Sequence, residues 1–260
     1  MQNTSNENQF HSQNWRQIAR REGLPDEEIV IIIDKSVLKV FRRNVYCLAV
    51  AFCLMTVTPW TIIEAVDYKF STLWNIPVYV WLVMAFLCQA MLACFPQTRY
   101  TPPCNWILVL LVVLLLTIFG SYFLYLISIE TFLVALLIAS VVMAVLHVCG
   151  AHCPQVVLPN TVCTGCMLLV CLITLFVDGI MLLMMPDPIY QLVFGIVIFT
   201  LVLMMIPFNS QYINGRLKFT PIADTLVCAL AIYIHFIIVL LCLCAFKYYF
   251  DFYKAQTVME

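Results

Sequence analysis

The chain has 260 residues, of which 64% are hydrophobic and 10% are charged, whereas an ordinary soluble domain has roughly 45–50% apolar and about 25% charged residues. Its mean hydropathy is +1.00, and this composition excludes a water-soluble globule. The formal net charge is −1, so there is no overall basic field that would hold a nucleic acid. We therefore expect a protein that lies in membrane lipid and has no nucleic-acid partner.

The N-terminal arm, residues 1–43, is polar at first and then mixed in charge. It has no apolar stretch beside the first methionine, so we expect no cleavable signal peptide. Residues 29–44 have the pattern of an amphipathic helix at the membrane surface, because Val37 and Phe41 fall on one side and Lys39 on the other. We expect this juxtamembrane helix to continue into the first span; a docking helix for a partner is the alternative.

Long apolar stretches follow the arm, each of the length, about 17–25 residues, that crosses a bilayer as a helix. There are seven: Asn44–Val66, Ile76–Phe95, Trp106–Ile127, Thr131–Cys149, Val162–Met185, Tyr190–Pro207 and Ile222–Phe246. The loops between them are too short to fold separately. The sequence therefore predicts an all-α membrane protein with a seven-transmembrane bundle over residues 44–246 and a short C-terminal tail, residues 247–260.

Lysine and arginine residues are distributed unevenly between the two sides of this predicted bundle. The arm is basic and the even-numbered loops contain Arg99, Arg216 and Lys218, whereas the odd-numbered loops contain Lys69 beside acidic residues. The positive-inside rule therefore places the N-terminus and the even-numbered loops in the cytosol. Seven crossings place the tail on the opposite side, unless the last apolar segment is re-entrant.

Three segments carry a resemblance to a known family. Residues 40–46 (VFRRNVY) lead into the first span, residues 208–216 (FNSQYINGR) follow the sixth, and residues 229–237 (ALAIYIHFI) lie in the last. They resemble the corresponding motifs of the Bax-inhibitor and lifeguard family, the transmembrane Bax-inhibitor-motif proteins. The resemblance extends over residues 40–246 and implies a seven-span helical bundle of Bax-inhibitor type with the last span central.

The resemblance also implies a function: calcium leak from internal stores, a part in calcium homeostasis, and negative regulation of apoptosis. The implied location is the endoplasmic reticulum, with the Golgi or the plasma membrane as the alternative. The implied partners, besides membrane lipid, are the calcium ion and membrane proteins of the cell-death machinery.

Two positions depart from the family pattern. Its members have two aspartates thought to form a proton-sensitive calcium gate, and the matching residues here are Asn209 and His235. An amide and an imidazole cannot share a proton as a carboxylate pair does, and neither supplies the negative charge that calcium prefers. The alternative function is therefore a non-conducting membrane interaction or regulatory protein that has lost the gate.

Ionisable residues inside spans are functional candidates, because each costs about 2.5–3.5 kcal/mol at the centre of a helix on insertion scales. Asp178 shares a stripe of the fifth span with Cys171 and Thr174, so we expect it to face the interior, in a functional or a structural role. His235 lies mid-span, where an ion or proton path and a simple packing role are both open. Asp224 has the position of a helix-start residue near the cytosolic interface. The candidates for an ion path or gate are Asp178, Asn209, Asp224 and His235.

Histidines and cysteines cluster around the loop between the fourth and fifth spans. Its members are His147, Cys149, His152, Cys153, Cys163 and Cys166. Such side chains supply the ligands of zinc, but the spacing matches no common finger, and Cys163 and Cys166 open a hydrophobic helix. We expect packing here, with reversible acylation of a membrane-edge cysteine as an alternative, and neither a metal nor another cofactor.

The sequence has no nucleophile elbow and no phosphate-binding loop. We therefore expect that the protein is not an enzyme. An intramembrane hydrolase that uses the His147/His152 or the Asp178/His235 set is the enzyme alternative.

Overall fold

The computed structural model describes residues 35–66, 77–124, 127–154, 188–216 and 222–259, together with single residues and pairs between 162 and 180. The chain divides into two units, Met1–Leu38 and Lys39–Glu260. Of the first unit only residues 35–38 are described, and they are helical. The second unit contains the helical bundle that carries the candidate site.

All regular elements in the described residues are helical, which confirms the prediction of an all-helical chain for this part of the protein. They are α1 (Lys35–Ala65), α2 (Val78–Cys94), α3 (Pro96–Tyr100), α4 (Cys104–Leu124), α5 (Ile129–His152), α6 (Pro188–Ile213) and α7 (Thr225–Met259), with a 3₁₀ turn at Ile222–Asp224. The helices α1, α4, α5, α6 and α7 are long and apolar enough to cross a membrane, and α2 is apolar but shorter. The predicted fifth span lies largely outside the described residues.

Two helices extend beyond the predicted spans. The sixth span was expected to end at Pro207, but α6 continues to Ile213. Tertiary contact explains the extension, because Ser210 Oγ in the added turn donates a hydrogen bond to the carbonyl oxygen of His147, 2.6 Å away. The last helix likewise continues through the expected tail to Met259.

Local sequence signals account for other helix ends. The hydroxyl of Ser128 accepts a hydrogen bond from the backbone N–H of Thr131 at 3.3 Å and so caps the start of α5. At the end of α6, Gly215 has a φ of 67°, a backbone conformation that glycine adopts without steric cost. The backbone N–H of Arg216 then bonds to the carbonyl of Gln211 at 3.0 Å and closes the helix.

Contacts between helices show their relative directions. Near its beginning α1 lies beside the end of α5, since the Tyr46 and His147 rings meet edge to face with centroids 5.7 Å apart. Near its end α1 lies beside the start of α5, since the Trp60 and Phe132 rings are 6.4 Å apart. The helices α1 and α5 are therefore antiparallel.

The same reasoning orients α6 and α7. Cys242, late in α7, donates to the carbonyl of Gly195, early in α6, at 3.7 Å, and the Phe199 and Phe246 rings are 5.4 Å apart. The two helices are therefore antiparallel, and α6 ends near the start of α7. Because Ser210 contacts His147, the helices α5 and α6 end at the same end of the bundle.

This end of the bundle, which we call the basic end, collects the arginines Arg42, Arg99 and Arg216. Arg42 Nη1 donates to Asn214 Oδ1 at 3.0 Å. Arg216 Nη1 donates to the last carbonyls of α5 at distances of 2.6–3.3 Å. Arg99 lies in α3 and pairs with Asp224 before α7, with nitrogen–oxygen distances of 2.8 and 2.6 Å. Side chains from three separate parts of the chain therefore lie at one end.

The helix α7 is the most enclosed of the five long helices. In its most apolar stretch 56% of the residues are buried inside the protein, against 11–33% in the other four. Tyr233 of α7 is fully buried and bonds through its hydroxyl to Thr56 Oγ1 at 2.8 Å and the Val113 carbonyl at 3.3 Å. Three helices are thus tied together in the bundle centre.

The outer faces of the other helices carry large exposed apolar side chains. Leu54 on α1 is 58% exposed, Ile107 on α4 is 59% exposed and Leu137 on α5 is 66% exposed. Apolar surface on this scale is unfavourable in water. These faces together with the helix lengths indicate a multi-pass membrane protein.

Candidate functional site

A groove of about 500 Å³ opens between α1 and α5 at the basic end. Its polar lining residues are Lys39, Arg42 and Tyr46 from α1, His147 and His152 from α5, and Asn214 after α6. Alanine and valine side chains of α5 form the rest of its wall. We call this site the histidine groove.

Helical spacing explains why these residues share one site. Lys39, Arg42 and Tyr46 are separated by three and then four positions, so they lie on one face of α1. His147 and Ala151 on α5 are four positions apart and lie on the facing side. The groove is therefore built from one face of each helix.

His147 is the most unusual residue of the groove. Its side chain is buried, with 8% of the residue exposed, and both ring nitrogens lack a hydrogen-bond partner in the part of the chain that the structure describes. The ring packs edge to face against Tyr46, with an interplanar angle of 83°. A buried polar group without a partner typically costs about 1–3 kcal/mol, so we expect the imidazole at this place to lower stability unless a ligand or water satisfies it.

Two of the sequence candidates, Asn209 and His235, lie on helices that pack beside the helix of His147. Asn209 is 8% exposed, and its Nδ2 has no hydrogen-bond partner within the described residues; the same holds for His235 Nδ1. The helices α5, α6 and α7, which carry the three side chains, pack pairwise against one another. His147 lies close enough to His235 to interact with it electrostatically. We call His147, Asn209 and His235 the histidine cluster.

Sequence reasoning named His147 as a weak metal candidate and in the His147/His152 set of the enzyme alternative. Its position on α5 gave no sign that it would be buried beside α1 and α6. In the sequence, Met143 and Gly150 lie four and three positions from His147, so the three residues share one face of the helix. In the structure this face of α5 is buried. A histidine on such a face is an intramembrane ionisable residue, which is a functional candidate by default.

Asp224 lies away from the histidine groove, in the 3₁₀ turn that precedes α7. It is 7% exposed, and both of its oxygens accept hydrogen bonds from Arg99. Burial lowers the pKa of Arg99, but the hydrogen bond and the negative charge of Asp224 outweigh this, and the net shift is upward. Burial also raises the pKa of Tyr100, and the charge of Asp224 raises it further. Asp224 is thus held in an ion pair that joins α3 to α7.

Two sequence candidates, Asp178 and Cys163, lie outside the described residues. Among the residues that are described, no group of three or more His, Cys, Asp or Glu side chains could hold a metal ion. His147 packs on Tyr46, whereas His152 Nδ1 lies 3.1 Å from the carbonyl of Val148. Cys149, Cys153 and Cys166 are free thiols.

The chemistry available to the histidine cluster is that of neutral hydrogen-bonding groups. An imidazole can both donate and accept, and an amide can do the same. Calcium instead takes 6–8 oxygen ligands, many of them carboxylates. None of the three side chains, His147, Asn209 and His235, is a carboxylate. The cluster is therefore better suited to water or to a hydrogen-bonding ligand than to a hard cation.

No known protein-family model matches this chain, and no curated protein matches it. The class of multi-pass helical membrane protein therefore rests on the helices and on the site themselves.

Proposed function

We propose that the chain is a seven-span membrane protein of the Bax-inhibitor type. The helices α5 and α6 both end at the basic end, so a bundle in which each long helix crosses the membrane needs one further crossing between them. The 26 residues of α6 measure about 39 Å at 1.5 Å per residue, and the predicted fifth span is long enough for this crossing. With α2 as a short crossing, the chain then makes seven passes.

The enclosed position of α7 supports the same architecture, because the resemblance implies a central last span. The N-terminal end of α1 lies at the basic end, which the positive-inside rule assigns to the cytosol. Arg42, Arg99 and Arg216 come from the arm and from two even-numbered loops, and they meet at that end.

Within this architecture we propose a regulatory and non-conducting role in calcium homeostasis and in suppression of apoptosis at internal stores, with the endoplasmic reticulum as the membrane. The observation that carries the proposal is the pair of positions Asn209 and His235, which bring no carboxylate to the centre. The buried carboxylate that the described residues do contain, Asp224, is paired with Arg99. A calcium ion would have to give up its water for ligands that this centre does not supply.

A calcium leak is the second candidate, and one observation favours it. The orphaned nitrogens of His147, Asn209 and His235 are groups that ordinarily find a water partner. Water along these three helices would make a hydrated path, and Asp178 would add the carboxylate that a divalent cation prefers.

Reconstitution of the full chain into calcium-loaded vesicles separates the two candidates. We expect no leak above that of protein-free vesicles from the natural chain, and a leak after Asn209→Asp and His235→Asp are introduced together. Suppression of cell death by the natural chain in the same membrane tests the regulatory role. A leak from the natural chain that Asp178→Asn abolishes would contradict the non-conducting role and support the second candidate.

A further inference from the structure

The mouth of the histidine groove carries positive charge without a matching acid. Lys39 and Arg42 line it from α1, and no acidic side chain is among its described lining residues. The Arg42 guanidinium is oriented by its hydrogen bond to Asn214 at 3.0 Å. A guanidinium has five N–H donors, and the Asn214 bond uses one of them, so among the described residues the other donors can meet an anion.

The walls of the groove are apolar. Ala144, Val148 and Ala151 line it on α5, and Val148 is 59% exposed. A groove that is basic at the mouth and apolar along its wall fits a ligand with an anionic group attached to an apolar chain. A small soluble anion would leave the apolar wall uncovered.

A second and independent observation points to a ligand at the same place. His147 borders the groove, is more than nine-tenths buried, and has two ring nitrogens without a partner among the described residues. A hydrogen-bonding group brought in by a ligand would satisfy this ring. Retention of the imidazole at a cost in stability is then explained by binding.

We propose that the histidine groove binds an anionic phospholipid whose headgroup carries a phosphomonoester. Two fixed cations, Lys39 and Arg42, match the two negative charges of a phosphomonoester, and arginine binds phosphate oxygens in a bidentate manner. Headgroups with an ammonium group, as in phosphatidylcholine and phosphatidylserine, would place a positive charge against these two side chains. Basic pockets between membrane helices on the cytosolic side are a recognised setting for such lipids.

Lipid binding in this groove goes beyond the proposed regulatory role and requires only that the bundle lies in a membrane. It holds whether or not the protein conducts calcium. Failure of the vesicle leak experiment and failure of lipid binding are therefore separate outcomes.

The test measures binding of fluorescent phosphatidylinositol 4-phosphate to the purified full chain in phosphatidylcholine nanodiscs. We expect Lys39→Gln and Arg42→Gln each to weaken binding about tenfold, as loss of one charge-assisted hydrogen bond predicts. Arg43→Gln is the matched control, because it removes the same charge one position away, where the side chain is exposed and does not line the groove. We expect it to leave affinity within about twofold, as for a screened surface charge.

A further variant and two competitors separate the sources of the phosphate. His147→Phe preserves the edge-to-face contact with Tyr46 and removes both ring nitrogens, and we expect it to weaken binding without unfolding the protein. Unlabelled phosphatidic acid should displace the probe, whereas inorganic phosphate at equal concentration should not.

Three results would overturn the proposal. Equal affinities of the Lys39→Gln and Arg43→Gln variants would show that the lipid does not bind in the groove. This comparison can be made even if the Arg42→Gln variant does not fold. If phosphatidylserine displaced the probe as effectively as phosphatidic acid, the site would have no preference for a phosphomonoester. Displacement by inorganic phosphate as effective as that by the lipid would show that the site takes a free anion.

Discussion

The basic end and the histidine cluster are both polar regions of an apolar bundle, and they differ in how fully their hydrogen bonds are satisfied. At the basic end Arg99 is paired with Asp224, and Arg216 is bonded to the last carbonyls of α5. In the cluster, described nitrogens of His147, Asn209 and His235 lack partners. The first region uses polar groups to hold helices together, whereas the second retains polar groups at a cost to stability. That difference gives Arg99 and Arg216 a structural role and makes the cluster the functional candidate.

The largest effect we expect is an all-or-none difference between the two ends of the bundle in their accessibility to a labelling reagent added on the cytosolic side. A labelled reporter placed after Tyr100, at the basic end, should react only with a cytosolic reagent. Reporters at Lys69 or Asp187, in the odd-numbered loops, should react only from the other side of the membrane. Strong cytosolic labelling at either of these two positions would contradict the seven-span topology.

The next effect is loss of the ion pair at the basic end. Asp224→Asn leaves Arg99 partly buried without its charge partner, and we expect the protein to lose about 3 kcal/mol of stability. The matched control is Asp251→Asn, which breaks the exposed pair with Lys247 on α7 and should cost less than about 0.5 kcal/mol. Thermal unfolding of the purified variants in detergent measures both. Equal shifts in the two variants would show that the buried pair does not hold α3 to α7.

The tight contact between α5 and α6 next to the cluster is expected to be nearly as sensitive to substitution as the ion pair. A Cβ at Gly150 would lie 2.4 Å from the Pro207 carbonyl oxygen and 2.7 Å from Ser210 Cβ, and backbone cannot move aside as a side-chain tip can. We expect Gly150→Ala to separate α5 from α6 and to cost about 1–3 kcal/mol.

Gly165→Ala is the control for this substitution, because a Cβ there meets no atom of the described residues within 4 Å. The two variants are compared by unfolding temperature and by accessibility of Cys149 to a thiol reagent. Unchanged values for Gly150→Ala would mean that α5 and α6 pack less closely than the contact distances indicate.

The smallest effect should have the opposite sign. His147→Leu removes two buried nitrogens that have no partner in the described residues, so we expect stability to rise by about 1 kcal/mol. The same variant should lose affinity for the phospholipid probe. A lower unfolding temperature would show that the His147 ring is satisfied by a hydrogen bond, and the contrast between the two regions would disappear.

The sequence predicted the helices better than their ends. Apolar runs longer than about 17 residues have one stable arrangement in lipid, a helix that satisfies its own backbone, and the described part of the chain contains five such helices. The ends depend on neighbours, which is why α6 runs past Pro207. The added turn holds buried Asn209 and Ser210, and Ser210 bonds to α5.

The candidate site was only partly readable from sequence. Asn209 and His235 were named from a resemblance, and their helices do pack together. Asp224 was named as an ion-path candidate, a role that stays a prediction, and its partner Arg99 lies 125 positions away. No local pattern identifies a partner at such a distance.

Composition and apolar run length by themselves determined that this chain forms membrane-spanning helices, because both depend on short segments and on the solvent around them. Only the tertiary structure determined that Tyr46 of α1 contacts His147 of α5. It also determined that Lys39 and Arg42 line the mouth of the same groove. Helix packing brings these residues together from positions about a hundred apart in the chain, and that pairing depends on side-chain shapes over the whole bundle. For this reason the sequence predicted a polar centre, and the fold determined which polar residues share it.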